Sequence, residues 1–396
     1  MRLRTLAAAI VVIVTMLAIA APLFRSYTRA AALIVGMTGI DGALRDAFAF
    51  EAGTYTVSEV TVPSRHGPLR ARLFVPDHVR RAVVLVPGIH AIGIDEPRLY
   101  NLAIQMAQVG LAVLTPEMPD LARYAITART TDMIEDASIW LSRRRTIARG
   151  GRIGVVGISF AGGLATVAAG RPALRDHVEF VFAFGAHSSF PRVLRFLCTG
   201  IEPAELPPPG APPGTPVREA YRKPHDYGVA VLLLGFADRV VPADQAEPLR
   251  AAVFEFLLAS CYDLINLQKA VQTYASAERM ASALPEPSRT MMRYVNTRNV
   301  KALGAVLLPY ISQVQYPAAL SVDQSPPPSG AMYLLHGTED NVVPAIETLY
   351  LARYIDGHAR VRTLLSGLIT HAEMDKQKGW RESWELVDFF ADLLRE

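Results

Sequence analysis

Apolar and polar positions along this chain follow two patterns, which predict strands alternating with helices. The strand candidates are short apolar runs that end at glycine or proline, as buried parallel strands do: AVVLVPG (82–88), LAVLTPE (111–117), RIGVVG (152–157), VEFVFAFGAH (178–187), AMYLLHG (331–337) and ARVRTLL (359–365). Between the first of these runs, RLYNLAIQMAQVG and TDMIEDASIWLSRR carry apolar residues at helical spacing. TYTVSEVTVPS and LRARLFVP, around the turn RHGP, predict an antiparallel pair at the start. We therefore expect an α/β fold with a mostly parallel sheet flanked by helices.

The alternation of strands and helices is interrupted over residues 201–329. PAELPPPGAPPGTP (203–216) is rich in proline, has no periodicity and predicts a surface loop. From 243 to 322 the pattern is mostly helical, with many Leu, Ala and Met residues. We predict that a proline-rich loop, one strand and a helical cap are inserted here, and that they divide the α/β core into residues 55–200 and 330–396.

The first 28 residues have a different character. TLAAAIVVIVTMLAIAAPLF (5–24) contains no charged residue and is long enough to cross a bilayer. It predicts one N-terminal transmembrane helix that anchors the protein to a membrane, followed by an irregular, Ala-rich linker over residues 29–54. The alternative is a signal segment that is cleaved on export, because AIA at 18–20 resembles a cleavage site.

Composition narrows the possible functions. The 396 residues are 51% hydrophobic and 19% charged, which suits a large buried core. A net charge of only +3 with scattered arginines argues against nucleic-acid binding, and RRR at 143–145 is typical of a solvated helix end. Cys198 and Cys261 have no metal or redox spacing, and either a disulfide between them or two separate thiols is compatible with the sequence. Because HExxH and nucleotide-binding glycine motifs are missing, we expect neither a catalytic metal nor a cofactor.

RIGVVGISFAGG (152–163) contains the strongest chemical signal. It predicts a buried strand, a sharp turn at Ser159 and a helix that begins with small residues. A serine on such a turn projects its hydroxyl above the sheet edge, and Gly157, Ala161, Gly162 and Gly163 allow the turn to close. The N-terminus of the following helix favours negative charge that develops at the same place.

A serine nucleophile needs a histidine base and usually an acid that orients it. LLHGTEDNVVP places Asp340 just beyond a predicted strand, and LLSGLITHAEMD places His371 in a loop beyond the next one. Both loops gather at the sheet edge where Ser159 lies. We therefore predict Ser159, Asp340 and His371 as a catalytic triad.

LVPGIHAIG, GISFAGG, LLHGTEDNVVP and THAEM together resemble the α/β-hydrolase superfamily, near its esterase and dienelactone-hydrolase-like branches. The resemblance covers roughly residues 55–195 and 330–396, and it implies an eight-stranded, mostly parallel sheet with an inserted cap and an acyl-enzyme formed on Ser159. It also implies an oxyanion hole made by the backbone N–H groups of Ile89 and Phe160. LLLGFADRVVPADQ (232–245) nearly repeats LLHGTEDNVVPAIE (334–347), so Asp238 is the alternative acid.

The resulting hypothesis is a membrane-anchored or exported serine hydrolase that cleaves a small carboxylic ester, with a lipid-like acyl group favoured by the cap and the anchor. A thioesterase, peptidase or acyltransferase could use the same triad, and a non-catalytic binding or scaffold protein on the same fold is the rival from another class. His90 is expected to line the pocket and not to act as the base, and His187 is a second candidate for pocket lining.

Overall fold

A computed structural model describes residues 24–37, 46–47, 51–212, 214–263, 265–369 and 380–395. Ten strands occur in these residues: β1 (Tyr55–Val62), β2 (Leu69–Pro76), β3 (Arg81–Val86), β4 (Leu111–Pro116), β5 (Ile153–Ile158), β6 (Val178–Phe184), β7 (Ile201–Pro203), β8 (Glu219–Tyr221), β9 (Ala331–Gly337) and β10 (Val361–Ser366). Eight of them form one sheet in the order β1-β2-β4-β3-β5-β6-β9-β10. β2 runs antiparallel to β1 and β4, and the other neighbours in this sheet are parallel. The predicted mostly parallel sheet, entered through an antiparallel pair, is confirmed.

Helices cover both faces of this sheet. Those of the core are α1 (24–37), α2 (Pro97–Gln108), α3 (Ala128–Ser142), α4 (Phe160–Ala169), α5 (Phe190–Thr199), α11 (Ile346–Ile355) and α12 (Trp380–Leu393), with one further helical turn over Pro119–Ala122. α3, α4 and α11 share one apolar core with one face of the sheet. α1, α2 and α12 share a second core with the opposite face. The two cores explain why the central strands are continuous apolar runs.

The insertion between β6 and β9 is mostly helical, as expected. It contains α6 (Asp226–Val240), α7 (Ala243–Tyr262), α8 (Leu267–Ala283), α9 (Ser288–Asn296) and α10 (Val300–Gln313). Most of its buried apolar residues belong to the same cluster as α3 and α4, so the cap packs directly on the core.

The insertion also contains strands. Where the sequence predicts one strand, two three-residue strands, β7 and β8, pair with each other. The apolar run at 229–233 lies within the helix α6. Packing favours the helix here: Gly228 allows α6 to approach Leu197 so closely that a Cβ at Gly228 would lie 2.5 Å from Leu197 Cδ2.

The N-terminal prediction is only partly within the described residues. Residues 1–23, which make up nearly all of the expected anchor, lie outside them. Residues 24–37, part of the expected anchor and linker, form the helix α1, in which Ala30 and Leu33 are buried and Tyr27 stacks on Trp384 of α12. The structure contains, within its described ranges, no helix with the length and apolar character of a membrane span.

Candidate active site

Ser159 lies on the sharp turn between β5 and α4. Its backbone has φ 58° and ψ −134°, a conformation that is strained for any residue other than glycine. Two backbone hydrogen bonds hold this turn: Ser159 N donates to Phe184 O at 2.7 Å, and Gly162 N donates to Ser159 O at 2.8 Å. The strand, the strained serine and the helix form the geometry known as a nucleophile elbow.

The small residues around Ser159 are required by close packing. A Cβ at Gly157 would lie 2.7 Å from both the carbonyl carbon of Ala161 and the Cα of Gly162. At Gly162 it would lie 2.9 Å from the Cβ of Ala186, and at Gly163 it would lie 2.5 Å from Nδ1 of His187. The small neighbours that the sequence analysis singled out therefore let α4 approach the sheet.

Asp340 lies in the loop after β9 and its side chain is 99% buried. Oδ1 accepts hydrogen bonds from the backbone N–H groups of Val342 at 2.8 Å and Val343 at 3.0 Å. Oδ2 points toward the elbow: a Cβ at Gly185 would lie 3.5 Å from this oxygen and 4.0 Å from the Cα of Ser159. Ser159 and Asp340 are 181 positions apart in the chain, yet both are neighbours of Gly185.

His336 is a neighbour of Asp340 to which the sequence analysis gave no role. It is fully buried near the end of β9, and its Nε2 lies 3.3 Å from Asp340 Oδ2 and 2.9 Å from the carbonyl oxygen of Val343. Its Nδ1 lies 2.6 Å from Oγ1 of Thr348 on α11. Both ring nitrogens therefore have partners within the loop and α11. The only sequence signal was the histidine before the strand-ending glycine in LLHG.

The other residues predicted for the triad lie elsewhere or cannot be placed. His371 lies outside the described residues. Asp238, the alternative acid, is near the end of the helix α6, where its side chain is 57% exposed and pairs with Arg250 at 2.6 Å. Its near-repeat with the Asp340 segment therefore does not correspond to a repeat of structure.

The two predicted oxyanion residues flank the end of β5. Phe160 is the first residue of α4, directly after Ser159. Ile89 follows Gly88 in the loop after β3, and this loop runs close to the elbow, since a Cβ at Gly88 would lie 3.7 Å from the carbonyl oxygen of Ile158. Both backbone segments are thus next to the serine.

Side chains from the cap and from the loop after β4 come together near the Ile89 loop. The hydroxyl of Tyr124 donates to the carbonyl oxygen of Leu257 at 3.0 Å and lies 2.8 Å from Sγ of Cys261, at the end of α7. Burial raises the pKa of Tyr227, at the start of α6, and the thiol of Cys261 and the charge of Asp340 contribute to the same shift. Burial raises the pKa values of Tyr124 and Cys261, and a hydrogen bond from the backbone N–H of Ala91 opposes that rise. Tyr124, Tyr227 and Cys261 therefore form a wall that adjoins the loop that holds Ile89.

The two other histidines of the sequence analysis lie in different surroundings. His90 is half-buried, and burial lowers the pKa of its imidazole. His187 is fully buried beneath α4, its Nε2 lies 2.8 Å from the carbonyl oxygen of Leu320, and its ring centroid lies 5.4 Å from that of Phe160. Burial also lowers the pKa of His187.

The two cysteines are separate thiols. Cys198 is buried on α5, where burial raises its pKa to about 12, whereas Cys261 belongs to the wall beside Tyr124. In the ranges that the structure describes, no cluster of three or more His, Cys, Asp and Glu side chains is arranged to bind a metal ion.

The strand order, the antiparallel second strand of the sheet and the elbow at Ser159 define the α/β-hydrolase fold, which confirms the fold that the resemblance implies. Among solved structures the chain is similar to an esterase from Pyrobaculum calidifontis, with 16% identity over 87% of this chain and 86% of the esterase and a TM-score of 0.41.

Two further similar structures are an acylaminoacyl peptidase from Pyrococcus horikoshii and a putative dienelactone hydrolase from Klebsiella pneumoniae. The peptidase is 14% identical over 90% of this chain and 44% of the peptidase, with a TM-score of 0.45, so the chain matches less than half of that protein. The dienelactone hydrolase is 12% identical over 85% of this chain and 99% of its own, with a TM-score of 0.38. Neither a protein-family model nor a curated protein sequence matches the chain.

Proposed function

We propose that this protein is a serine hydrolase that cleaves carboxylic esters through an acyl-enzyme on Ser159. The observation that carries the proposal is the strained backbone of Ser159 at φ 58°, held between a buried strand and a helix N-terminus. Such strain persists only where the surrounding structure enforces it, and it is concentrated at functional sites. The carboxylate of Asp340 also supports the proposal, because it is buried and borders Gly185, the glycine that also adjoins Ser159.

In the proposed reaction, Ser159 Oγ attacks the ester carbonyl carbon while His371 accepts the hydroxyl proton, and Asp340 orients the imidazole. The N–H groups of Ile89 and Phe160 stabilise the oxyanion of the tetrahedral intermediate. His371 then donates its proton to the departing alcohol, which leaves the acyl group on Ser159. Water attacks this acyl group with His371 as the base, and the carboxylic acid is released.

The cap supports a preference for a lipophilic acyl group. Tyr124, Tyr227 and Cys261 form a partly buried wall beside the Ile89 loop, and burial raises the pKa of each, so all three are uncharged at neutral pH. A neutral, partly apolar wall suits an acyl chain better than a charged substrate. The apolar run at residues 5–24 supports the further proposal that the enzyme is anchored to a membrane.

Labelling with a fluorophosphonate, which reacts with activated serines, tests the proposal. We expect the wild type to be labelled and Ser159→Ala to remain unlabelled, whereas Ser282→Ala, an exposed serine of the cap, is labelled like the wild type. The membrane fraction should carry the label if the anchor is retained, and the soluble fraction if the segment is cleaved. Folded wild type that never reacts would overturn the catalytic proposal in favour of a binding or scaffold protein.

The acid is tested by comparing Asp340→Asn with Asp238→Asn, using a p-nitrophenyl acyl ester as substrate. Loss of the orienting acid of a triad lowers kcat by roughly 10⁴-fold, which is the loss we expect for Asp340→Asn. Asp238→Asn removes only an exposed ion pair with Arg250 and should leave turnover unchanged. Equal turnover of Asp340→Asn and the wild type would remove Asp340 from the proposed triad.

A further inference from the structure

The partners of His336, the fully buried histidine beside Asp340, define where its ring carries a proton. Its Nε2 lies 2.9 Å from the carbonyl oxygen of Val343 and 3.3 Å from Oδ2 of Asp340. A carbonyl oxygen and an ionised carboxylate can only accept hydrogen bonds, so the proton is on Nε2. In the neutral imidazole Nδ1 is then an acceptor, and the hydroxyl of Thr348 donates to it at 2.6 Å.

His336 and Val343 together enclose the carboxylate of Asp340. Oδ1 of Asp340 accepts hydrogen bonds from the backbone N–H groups of Val342 and Val343. Val343 therefore donates to Asp340 with its N–H group and accepts from His336 with its carbonyl oxygen. The positive end of the His336 N–H bond also lies beside Oδ2, the oxygen that faces the elbow. Both oxygens of the carboxylate thus have N–H groups beside them.

Burial makes this arrangement resist change. The side chain of His336 is fully buried and that of Asp340 is 99% buried, so water does not weaken the contacts between them. A carboxylate that rotated out of this position would leave two backbone N–H groups without an acceptor, which is costly for buried donors. Thr348 is buried on α11, so its bond to Nδ1 joins the histidine of β9 to the helix that follows the loop.

We infer that His336 is a positioning residue for the acid of the proposed triad, and that Thr348 holds the tautomer that this role requires. The inference rests on the proposed function, since it concerns the reaction at Ser159. Asp340 orients the base only while one of its carboxylate oxygens stays directed toward the elbow. Because both ring nitrogens of His336 are engaged with the loop and α11, this histidine acts through Asp340 and is not the base.

Steady-state kinetics of the full chain with a p-nitrophenyl acyl ester test this role. His336→Leu removes the N–H group, and we expect kcat to fall by about 10-fold to 100-fold, because a misplaced catalytic group costs up to roughly 10²-fold in rate. KM should stay unchanged, since the orientation of the acid does not alter binding of the ester. His336→Gln keeps an amide N–H group in place of Nε2–H and should recover most of the lost kcat.

Thr348 provides a second pair of variants, which carries the test if His336→Leu does not fold. We expect kcat to fall by up to about tenfold in Thr348→Val, whereas Thr348→Ser keeps the hydroxyl and should react like the wild type. The matched control is Thr131→Val, because Thr131 is buried on α3 and its hydroxyl donates to the carbonyl oxygen of Ala319 at 2.8 Å. This control should lose stability in urea as Thr348→Val does, but it should keep the wild-type kcat.

A double-mutant cycle separates positioning from a merely structural role. His336→Leu and Thr348→Val are each combined with Asp340→Asn, and the rates of fluorophosphonate labelling are compared. Residues that act as a unit are not additive, so each substitution should slow labelling far less in the Asp340→Asn protein than in the wild type. Equal fold-losses in both backgrounds, or an active wild type whose kcat neither substitution changes, would overturn the inference alone. A folded wild type that never reacts would overturn the proposed function and the inference together.

Discussion

Replacing Gly157 by alanine should damage the elbow without touching any reactive group. The added Cβ would lie 2.7 Å from the carbonyl carbon of Ala161 and from the Cα of Gly162, whereas ordinary contacts begin at 3.4 Å. The carbonyl oxygen of Ala161 would lie nearer still, so the two chain segments must separate by at least about 0.7 Å. All three obstructing atoms belong to the backbone, so no side chain can rotate away.

The size of the effect follows from this displacement. Overpacking of a buried site costs about 1–3 kcal/mol, and we expect about 3 kcal/mol of lost unfolding free energy, since only the backbone can yield. A misplacement of about 1 Å at a catalytic group costs roughly 10²-fold in rate. We therefore expect the fluorophosphonate labelling rate of Gly157→Ala to fall by 10-fold to 100-fold, because Ser159 moves with the turn.

Urea unfolding and labelling rates of three proteins check the reasoning. The matched control is Gly235→Ala: Gly235 lies inside α6, and a Cβ there would meet nothing within 4 Å. Because alanine favours a helix interior over glycine by about 0.5–1 kcal/mol, this variant should be slightly more stable than the wild type and should be labelled normally. If Gly157→Ala unfolds at the same urea concentration as the wild type and reacts at the same rate, the packing argument is wrong.

Three further predictions concern buried polar groups. Burial lowers the pKa of His187 below its usual 6.5, so the stability that the neutral imidazole contributes is present above pH 6.5 and is lost as the pH falls. His187→Gln should therefore make the unfolding free energy fall less steeply on acidification, by up to about 1.4 kcal/mol per pH unit. The control His358→Gln, at an exposed site, should leave this slope unchanged. Glu347 is 99% buried and pairs with Arg192, which is 24% exposed, so Glu347→Gln should cost about 3 kcal/mol in urea unfolding. Tyr124→Phe removes the hydrogen bond to Leu257 O and should cost about 1 kcal/mol, and an unchanged urea midpoint would contradict that bond.

The central strands could be predicted from the sequence because burial on both faces leaves a direct mark. β3, β4 and β5 are covered by helices on either side, and each appears as an apolar run that stops at a small or rigid residue. The elbow was also visible, since the small residues at 157, 162 and 163 are required by contacts with the immediately following helix and the neighbouring strand.

Other features could not be read locally. LLLGFAD and LLHGTED share most of their letters. LLLGFAD lies in α6, whereas LLHGTED includes the end of β9, which pairs with β6 in the sheet. Tertiary contacts decide between helix and strand in such short apolar runs. The contacts of His336 with Asp340 and its neighbours could not be predicted either, because its partners Thr348 and Val343 come from the following helix and loop.

The position of the insertion explains why the cap can form a wall of the candidate site. β6 and β9 are neighbours in the sheet, and Gly185, just after β6, donates its N–H to Leu335 O of β9 at 2.9 Å. The insertion leaves the core after β6 and returns at β9, so it begins beside the elbow and ends at the strand that leads to Asp340. His225, at the start of α6, donates its N–H to the carbonyl oxygen of Asn341 at 2.8 Å, which ties the cap to the Asp340 loop. Changes at the start of α6 therefore act on the surroundings of the Asp340 loop, while the sheet that positions Ser159 and Asp340 stays the same.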